Sequence, residues 1–435
     1  MLGKLIVASL LTGVISGLFI TFYELLIIFL TYVIFMGDPL ETIPTLPIWY
    51  LYAVPTVAIF IVNHLVSRDS HIREYGVSEI ADSIVQNKMV FKVKTLFFKI
   101  IASALSISSG FSVGTEGPSA GMGAMIAYQI HKYMKLPSML IKMMISVGAS
   151  SGIAAIFVSP LTGMAFAIEH IAYQFIKQYI GYLILGSVIA FSISVHFLNT
   201  IIFHHSEGRE IDYNYIVPIL IFIPFITAFI YFYLFMKKRV LHFIDLELFK
   251  NFYCYRNHIF ALIGGSVIGT ILLIAPQAAF SGKEMVANLI NNEHHISVIL
   301  IFTIIILRII GTTVSIYANA VGGMFLPLMS IGALVGFGFG ELLNEFYNFH
   351  SEPFYFAAVG AAVFVGVVMK IPLTAVILAM ETTFDYNVMV ATGVSVVLVS
   401  YFSNLHFTIQ QKYVTKADKI TPVNSTTPPK EEKSA

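Results

Sequence analysis

The most constraining feature of this chain is a glycine and proline pattern that occurs twice inside apolar sequence. A Gly-rich turn reaches Pro118 and is followed by Gly123-Ala124. A second Gly-rich turn reaches Pro327 and is followed, at the same distance, by Gly332-Ala333. The two copies lie 209 residues apart. A stable apolar helix does not need such interruptions, so their recurrence indicates an internal repeat.

A second motif follows each copy of the first. Pro160-Leu161-Thr162 precedes Glu169 by nine positions, and Pro372-Leu373-Thr374 precedes Glu381 by nine positions. These copies lie 212 residues apart, so the duplication is nearly free of gaps over this region. Hydrophobic halves that are broken at matching places are typical of a transporter whose substrate site lies between the repeats near the bilayer midplane.

The composition indicates that most of the chain lies in a lipid bilayer. Hydrophobic residues make up 57% of the sequence and charged residues only 11%, against about 25% charged residues in ordinary soluble domains. Several apolar runs are long enough to cross about 30 Å of hydrocarbon as helices. The sequence therefore predicts an all-α polytopic membrane protein. The apolar runs used here are 5–36, 49–62, 180–197, 216–235, 296–310 and 388–402.

Several function classes are disfavoured by the same inspection. The 25 basic and 24 acidic residues nearly balance, which gives no electrostatic case for nucleic acid. The single Cys254 excludes an intramolecular disulfide and any multi-cysteine metal site. No phosphate-binding Gly-x-x-x-x-Gly-Lys-Ser/Thr segment occurs, which argues against ATP-driven transport. We expect no metal and no cofactor.

The chain divides at a polar gap between the two copies. We predict a first membrane repeat over 1–203, a polar connection over 204–212 and a second membrane repeat over 213–414. Residues 415–435 are rich in Thr, Pro, Lys and Glu, which predicts a disordered tail. Basic residues cluster in 68–94, and the positive-inside bias predicts that this segment faces the cytoplasm.

The broken segments 114–118 and 322–327 point to the site. Irregular backbone survives in a membrane only where protein covers it or where it lines a polar cavity. In each segment a proline lies where a helix would begin, and its missing N–H costs nothing there. A helix start offers free backbone N–H groups and partial positive charge, which suits a small anion. Because burial of a bare ion is costly, several helix starts should converge on it.

At these residues the chain resembles the CLC family of chloride channels and proton-coupled chloride transporters, and the likeness extends to about residue 415. That family carries three filter motifs: Gly-Ser-Gly-Ile-Pro, Gly-Lys/Arg-Glu-Gly-Pro and Gly-x-Phe-x-Pro. The second motif is present as Gly114, Thr115, Glu116, Gly117 and Pro118, and the third as Gly323, Met324, Phe325, Leu326 and Pro327. The first is degraded to Glu74, Tyr75, Gly76, Val77 and Ser78.

The resemblance implies roles for some of these residues. The anion would be held by the backbone N–H groups of Met324 and Phe325, by a hydroxyl at Tyr75 and by a Tyr hydroxyl for which Tyr413 is the candidate. Tyr75 stands where the family has a coordinating serine, so its longer side chain would move the donor away from the backbone. This departure leaves the preferred anion open.

Glu116 matches the gating glutamate of the family. Its carboxylate would compete with the anion for an outer site and leave when it is protonated. A carboxylate that faces helix N-termini mimics an anion, so this role is physically sensible. The alternative is a glutamate that only caps a helix start, which is disfavoured because carboxylates inside a membrane are costly and usually functional.

A second departure concerns proton coupling. Proton-coupled members carry two consecutive glutamates near the cytoplasmic side, whereas this chain has Glu169-His170. A histidine titrates near pH ~6.5, so His170 could relay protons, or it could be a hydrogen-bonded residue at an interface or vestibule. An intramembrane enzyme using Glu169 and His170 as acid and base is a remote alternative. It lacks a nucleophile motif, and adjacent helical residues point in different directions.

Buried charges elsewhere have two readings. Lys99 and Arg308 lie in apolar runs, where they could raise the local positive potential or pair with carboxylates such as Glu169 and Glu381. We favour structural ion pairs for these residues, and the same interpretation for Glu381 and Asp385.

The resulting prediction is an all-α membrane protein of two inverted-topology repeats with broken helices, as in the CLC fold. The duplication comes from the sequence; the inversion, and a homodimer with one pore in each subunit, come from the resemblance. The predicted function is transport of chloride or a similar monovalent anion across the lipid bilayer of a cell membrane, the bacterial inner membrane, in exchange for protons. A passive chloride channel is the alternative, favoured by the loss of the internal glutamate.

Overall fold

The structure is a computed structural model of the 435-residue chain. It describes residues 2–69, 71–74, 93–169, 176–198, 215–244, 256–286, 297–347 and 353–403. Predictions for Tyr75, Gly76, Val77, Ser78, His170 and Tyr413, for the connection 204–212 and for the tail 415–435 lie outside the described residues. Glu74 is the last residue of the short helix His71–Glu74.

The described part is built from helices, and the fourteen longest fall into two consecutive sets of seven. The first set is α1 (Leu2–Phe35), α2 (Ile48–Arg68), α3 (Val93–Ser108), α4 (Glu116–Tyr133), α5 (Ile141–Phe157), α6 (Pro160–Ala167) and α7 (Ile176–Ser194). The second set is α8 (Ile216–Ile244), α9 (Arg256–Ile274), α10 (Val298–Tyr317), α11 (Phe325–Tyr347), α12 (Pro353–Met369), α13 (Pro372–Thr383) and α14 (Tyr386–Phe402).

Six spans in the described residues are long and apolar enough to cross a membrane, and they include α1, α2, α8 and α10. Spans that contain α5 and α11 complete the six, and these two are almost wholly buried within the protein. Helices suit this solvent because each satisfies its own backbone hydrogen bonds. Shorter apolar helices, among them α12, α13 and α14, fill the remaining body.

The two sets repeat the same packing. α4 packs along α5 in the first set, and α11 packs along α12 in the second. Both pairs meet at glycines, which let the two helix backbones approach closely. A Cβ added to Gly123 would lie 2.0 Å from the carbonyl oxygen of Gly148, and one added to Gly332 would lie 2.2 Å from that of Gly360. The duplicated sequence therefore folds into duplicated helix pairs.

The halves meet in opposite directions. Gly114 and Gly323 occupy corresponding places just before α4 and α11, and they form an isolated antiparallel bridge. The N–H of Gly114 donates to the carbonyl of Gly323 at 2.8 Å, and the N–H of Gly323 donates back at 2.7 Å. Equivalent segments that pair antiparallel are related by a local two-fold rotation. This is the inverted-topology, CLC-like, all-α arrangement that the sequence and its resemblance predict.

The ion pair predicted for Arg308 is wrong, because its side chain bonds backbone carbonyl groups and a serine hydroxyl. Arg308 is fully buried and donates to the carbonyl oxygens of Ala278, Ala279 and Phe280 at 3.2, 2.9 and 3.3 Å. Its Nε also donates to Ser330 Oγ on α11. Arg308 therefore fastens the loop after α9 to α10 and α11.

The three carboxylates discussed with it stabilise helix starts. Glu169 accepts hydrogen bonds from the start of α13, and Glu381 accepts them from the start of α6. Asp385 caps α14 by accepting the N–H of Asn387 at 2.7 Å. Free N–H groups at a helix start stabilise a carboxylate as a cation would, so no lysine or arginine is required.

Candidate anion-binding site

Glu116 is the first residue of α4, and Thr115 occupies the N-cap position. The side chain reaches across to the start of α11. The backbone N–H of Phe325 donates to Glu116 Oε1 at 2.5 Å. Both residues are buried, at 2% and 0% exposure. A carboxylate from one half is thus bound by the helix start of the other half, deep inside the protein.

Glycines leave the room that this carboxylate occupies. A Cβ on Gly114 would lie 2.0 Å from Glu116 Oε2, and a Cβ on Gly323 would lie 2.1 Å from Glu116 Oε1. Contacts that short do not occur, so any larger residue at either position would displace the carboxylate. The paired backbones of Gly114 and Gly323 therefore form the wall against which the carboxylate rests.

Aromatic rings close another side of the site. The ring of Phe325 lies 4.5 Å from that of Phe157 at the end of α5 and 5.9 Å from that of Phe166 on α6. Phe325 and Phe166 are fully buried. A water-poor wall lowers the local dielectric constant, which strengthens the hydrogen bond between the Phe325 N–H and a negative charge.

Polar atoms also surround Glu116. Glu116 Oε2, Thr115 Oγ1 and Ser119 Oγ are buried and have no hydrogen-bond partner among the described residues. Buried polar atoms usually have a protein or water partner. Three such atoms within the first turn of α4 and its cap leave unused hydrogen-bonding capacity at this helix start.

The arrangement can exchange one anion for another. The Glu116 carboxylate carries the charge of a small inorganic anion and is bound as an anion is bound at a helix start. Such an ion could replace the carboxylate at the Phe325 N–H only if the carboxylate moved away or lost its charge. The site therefore has a carboxylate at a helix start where a small anion could bind.

The structure brings together only part of the predicted site. Glu116, Gly114, Gly323 and Phe325 meet directly. Met324 precedes α11 and is partly buried. Gly117 and Pro118 lie in the first turn of α4, and Leu326 and Pro327 lie in the first turn of α11.

Sequence reasoning missed Phe157 and Phe166. No local signal distinguishes these two phenylalanines from the others in the chain, because their role depends on how α5 and α6 pack against α11. Sequence reasoning also missed Glu24, a carboxylate inside the apolar α1. Its position in an apolar run was the available signal. Within the described ranges, no cluster of His, Cys, Asp and Glu side chains could hold a metal ion.

Comparisons with known proteins agree with this architecture. Residues 54–404 match the family model described as voltage gated chloride channel. The H(+)/Cl(-) exchange transporter ClcA of Vibrio cholerae is 23% identical over 433 residues, covering 94% of this chain and 91% of the relative.

Solved structures show the same fold. A slow cyanobacterial Cl-/H+ antiporter superposes with a TM-score of 0.80 at 22% identity, covering 96% of this chain and 97% of the other. A CLC-type fluoride/proton antiporter superposes with a TM-score of 0.74 at 19% identity, covering 94% and 98%. Both similarities extend over nearly the whole of each chain.

Proposed function

The chain belongs to the voltage-gated chloride channel family, and on this premise we propose that it carries chloride or a similar monovalent anion across the membrane in exchange for protons. Glu116 is the gate. The observation that carries the proposal is the hydrogen bond from the Phe325 N–H to the Glu116 carboxylate, at a buried helix start. The names of the bacterial ClcA relative and of the two antiporter structures support the same activity.

The mechanism follows from competition for one helix start. While Glu116 is ionised, its carboxylate occupies the Phe325 N–H, and an arriving anion is repelled by it. Proton binding removes the charge, which weakens the hydrogen bond and the repulsion together. The neutral side chain then leaves, and the anion takes the N–H group. The carboxylate returns to the Phe325 N–H only after it loses the proton. Anion entry therefore follows proton binding to Glu116, and return of the carboxylate follows proton release.

A passive chloride channel is the second candidate, because His170 replaces the internal glutamate of proton-coupled members. Under that alternative Glu116 would still open and close the passage, but no residue would deliver protons to it from the cytoplasmic side. The imidazole of His170 can carry a proton near neutral pH, which favours exchange.

A flux experiment separates the two candidates. The purified protein is reconstituted into vesicles loaded with chloride and diluted into low-chloride medium, with chloride and pH recorded together. Exchange predicts that chloride efflux drives protons into the vesicles against their gradient. A channel predicts chloride efflux with no such proton uptake. Protein-free vesicles and the exposed-site variant Glu345→Gln on α11 are the controls.

The preferred anion requires a separate measurement, since one similar structure is a fluoride/proton antiporter. We propose chloride because the full-length bacterial relative is a chloride exchanger. Efflux from vesicles loaded with either halide tests this: faster fluoride than chloride efflux would overturn the assignment. The proposal also includes a homodimer in the bacterial inner membrane, which native mass spectrometry of the detergent-extracted protein can test.

A further inference from the structure

A cavity of about 230 Å³ opens beside the gate. It lies between α1, the short helix Pro39–Thr42 and the loop that follows α9. Its lining includes Thr115, the residue immediately before Glu116. The cavity therefore reaches from the surface of the protein to the start of α4.

The cavity opens on the face opposite the predicted cytoplasmic one. Pro39 and Leu40 line it and lie in the turn that connects α1 to α2. From that turn α2 runs for 21 residues to Arg68, in the basic segment expected at the cytoplasm, a length of roughly 30 Å. Anions and protons arriving from the outer side would pass this cavity.

A buried ion pair lies at this mouth. Lys283 Nζ donates to Glu24 Oε1 at 3.1 Å, and both residues line the cavity. Glu24 belongs to α1 and is 6% exposed. Lys283 comes from the loop after α9, and its side chain is 20% exposed. The pair thus joins a helix of the first half to a loop of the second.

The loop that carries Lys283 is hydrogen-bonded to Arg308 on α10. Arg308 donates to three successive carbonyl oxygens just before it, those of Ala278, Ala279 and Phe280. Arg308 is fully buried and also bonds Ser330 on α11, so it links this loop to the helix whose first residue, Phe325, binds Glu116. The Lys283 ammonium itself is held by Glu24.

Two buried oxygens in this lining lack partners within the described residues. They are Glu24 Oε2 and Thr115 Oγ1, whose residues are 6% and 2% exposed. Such atoms normally bind a protein group, water or an ion. Both residues line the same cavity as Lys283, so the cavity carries unpaired hydrogen-bonding capacity next to the residue that precedes Glu116.

Charge is distributed unevenly around this cavity. Thr115, the residue before Glu116, carries no charge. The described lining of the cavity contains one cation, Lys283, and two carboxylates, Glu24 and the exposed Glu284. The positive charge that could attract an anion in this cavity is therefore Lys283, in the loop after α9, and not a residue at the start of α4.

We propose that Lys283 attracts anions into the outer route to Glu116, and that Glu24 positions its ammonium and limits its field. Attraction at a charged mouth raises the local concentration of a counter-ion and its entry rate, and salt screens the effect. This inference rests on the proposed anion transport. The Lys283 ammonium would set the apparent affinity for anions that enter from the outer side, and it would not itself bind or release the Glu116 carboxylate.

The test measures anion uptake from the outer side as a function of chloride concentration, at low and high ionic strength. Lys283→Met should raise the half-saturating chloride concentration roughly three- to tenfold at low salt, because two carboxylates then face the anion. Glu24→Gln should lower it, because the ammonium is no longer neutralised. Lys283→Arg should retain the wild-type value, and high salt should bring all variants together.

The matched control is Lys4→Met, at the opposite end of α1, about 30 Å from Glu24 by helical rise. It should leave outer-side capture unchanged. An unchanged half-saturating concentration in Lys283→Met, or a change that salt does not reduce, would overturn the inference. If Lys283→Met does not fold, the half-saturating chloride concentrations of Glu24→Gln and Lys283→Arg test the inference. The first should be lowered at low salt, and the second should equal the wild-type value. Absence of anion transport in the wild-type protein would instead reject the proposed function.

Discussion

Glu169 and Glu381 form reciprocal contacts between the two halves of the molecule. Each carboxylate binds a helix start in the other half. Glu169 accepts the N–H groups of Leu373 and Thr374 at 2.8 and 2.7 Å. Glu381 accepts those of Leu161 and Thr162 at 2.9 and 2.6 Å. Each also accepts the hydroxyl of its threonine. The second repeated motif is therefore a reciprocal clasp.

Removal of either carboxylate should destabilise the protein. Glu169→Ala and Glu381→Ala each leave two backbone N–H groups and a threonine hydroxyl without acceptors, and Glu381→Ala also leaves the Ser159 hydroxyl without one. The expected cost is about 1–3 kcal/mol for each variant. The thermal unfolding midpoint in detergent measures the loss, with Glu345→Ala on the exposed end of α11 as the control. Equal midpoints for Glu381→Ala and the control would mean that the clasp contributes nothing.

Replacement of Glu116, the proposed gate, by a residue that cannot ionise should make anion flux independent of pH. In Glu116→Gln the amide cannot change charge, so nothing ties release of the Phe325 N–H to a proton. We expect anion flux to persist and to become independent of pH, with proton flux lost, whereas wild-type flux rises as pH falls. Glu116→Ala should behave in the same way. Retention of the wild-type pH dependence by both variants would exclude Glu116 as the gate.

Enlargement of the glycine wall should have a related effect by a steric route. The added Cβ of Gly323→Ala would fall 2.1 Å from Glu116 Oε1, which drives the carboxylate away from Phe325. Loss of one charge-assisted hydrogen bond should reduce the ratio of flux at low pH to flux at high pH by roughly tenfold. Gly181→Ala is the matched control, because nothing lies within 4 Å of its added Cβ.

A second glycine variant provides an independent test if Gly323→Ala does not fold. Gly114→Ala places its Cβ 2.0 Å from Glu116 Oε2 and should act in the same direction. A normal pH ratio in a folded Gly323→Ala or Gly114→Ala protein would show that the carboxylate does not need this position.

The histidine that replaces the internal glutamate is tested by its removal. If His170 relays protons, His170→Ala should abolish proton flux and leave anion flux, since no titratable group would remain at that position. The exposed His64 on α2 supplies the control variant His64→Ala. Full retention of both fluxes in His170→Ala would leave a structural role for this residue.

Much of the architecture could be predicted from local patterns. Hydropathy predicted the membrane class, and the matched prolines and glycines predicted duplication and the interior helix starts at α4 and α11. Both patterns are local because solvent selects apolar runs and because proline and glycine act on their own backbone. The bond between Glu116 and the Phe325 N–H was not predicted, because the resemblance implied an outer site for the carboxylate and assigned the Phe325 N–H to the central anion.

The sequence by itself determined that two copies of an apolar, interrupted helix bundle would be built in lipid. Only the tertiary structure decided which charges meet. Glu169 reaches α13, Glu381 reaches α6, and Glu24 pairs with Lys283 across more than half of the chain. Arg308, for which ion pairing was predicted, binds carbonyl groups. The physical reason is that a buried charge takes whichever partner the packed helices present, and that choice depends on three-dimensional position.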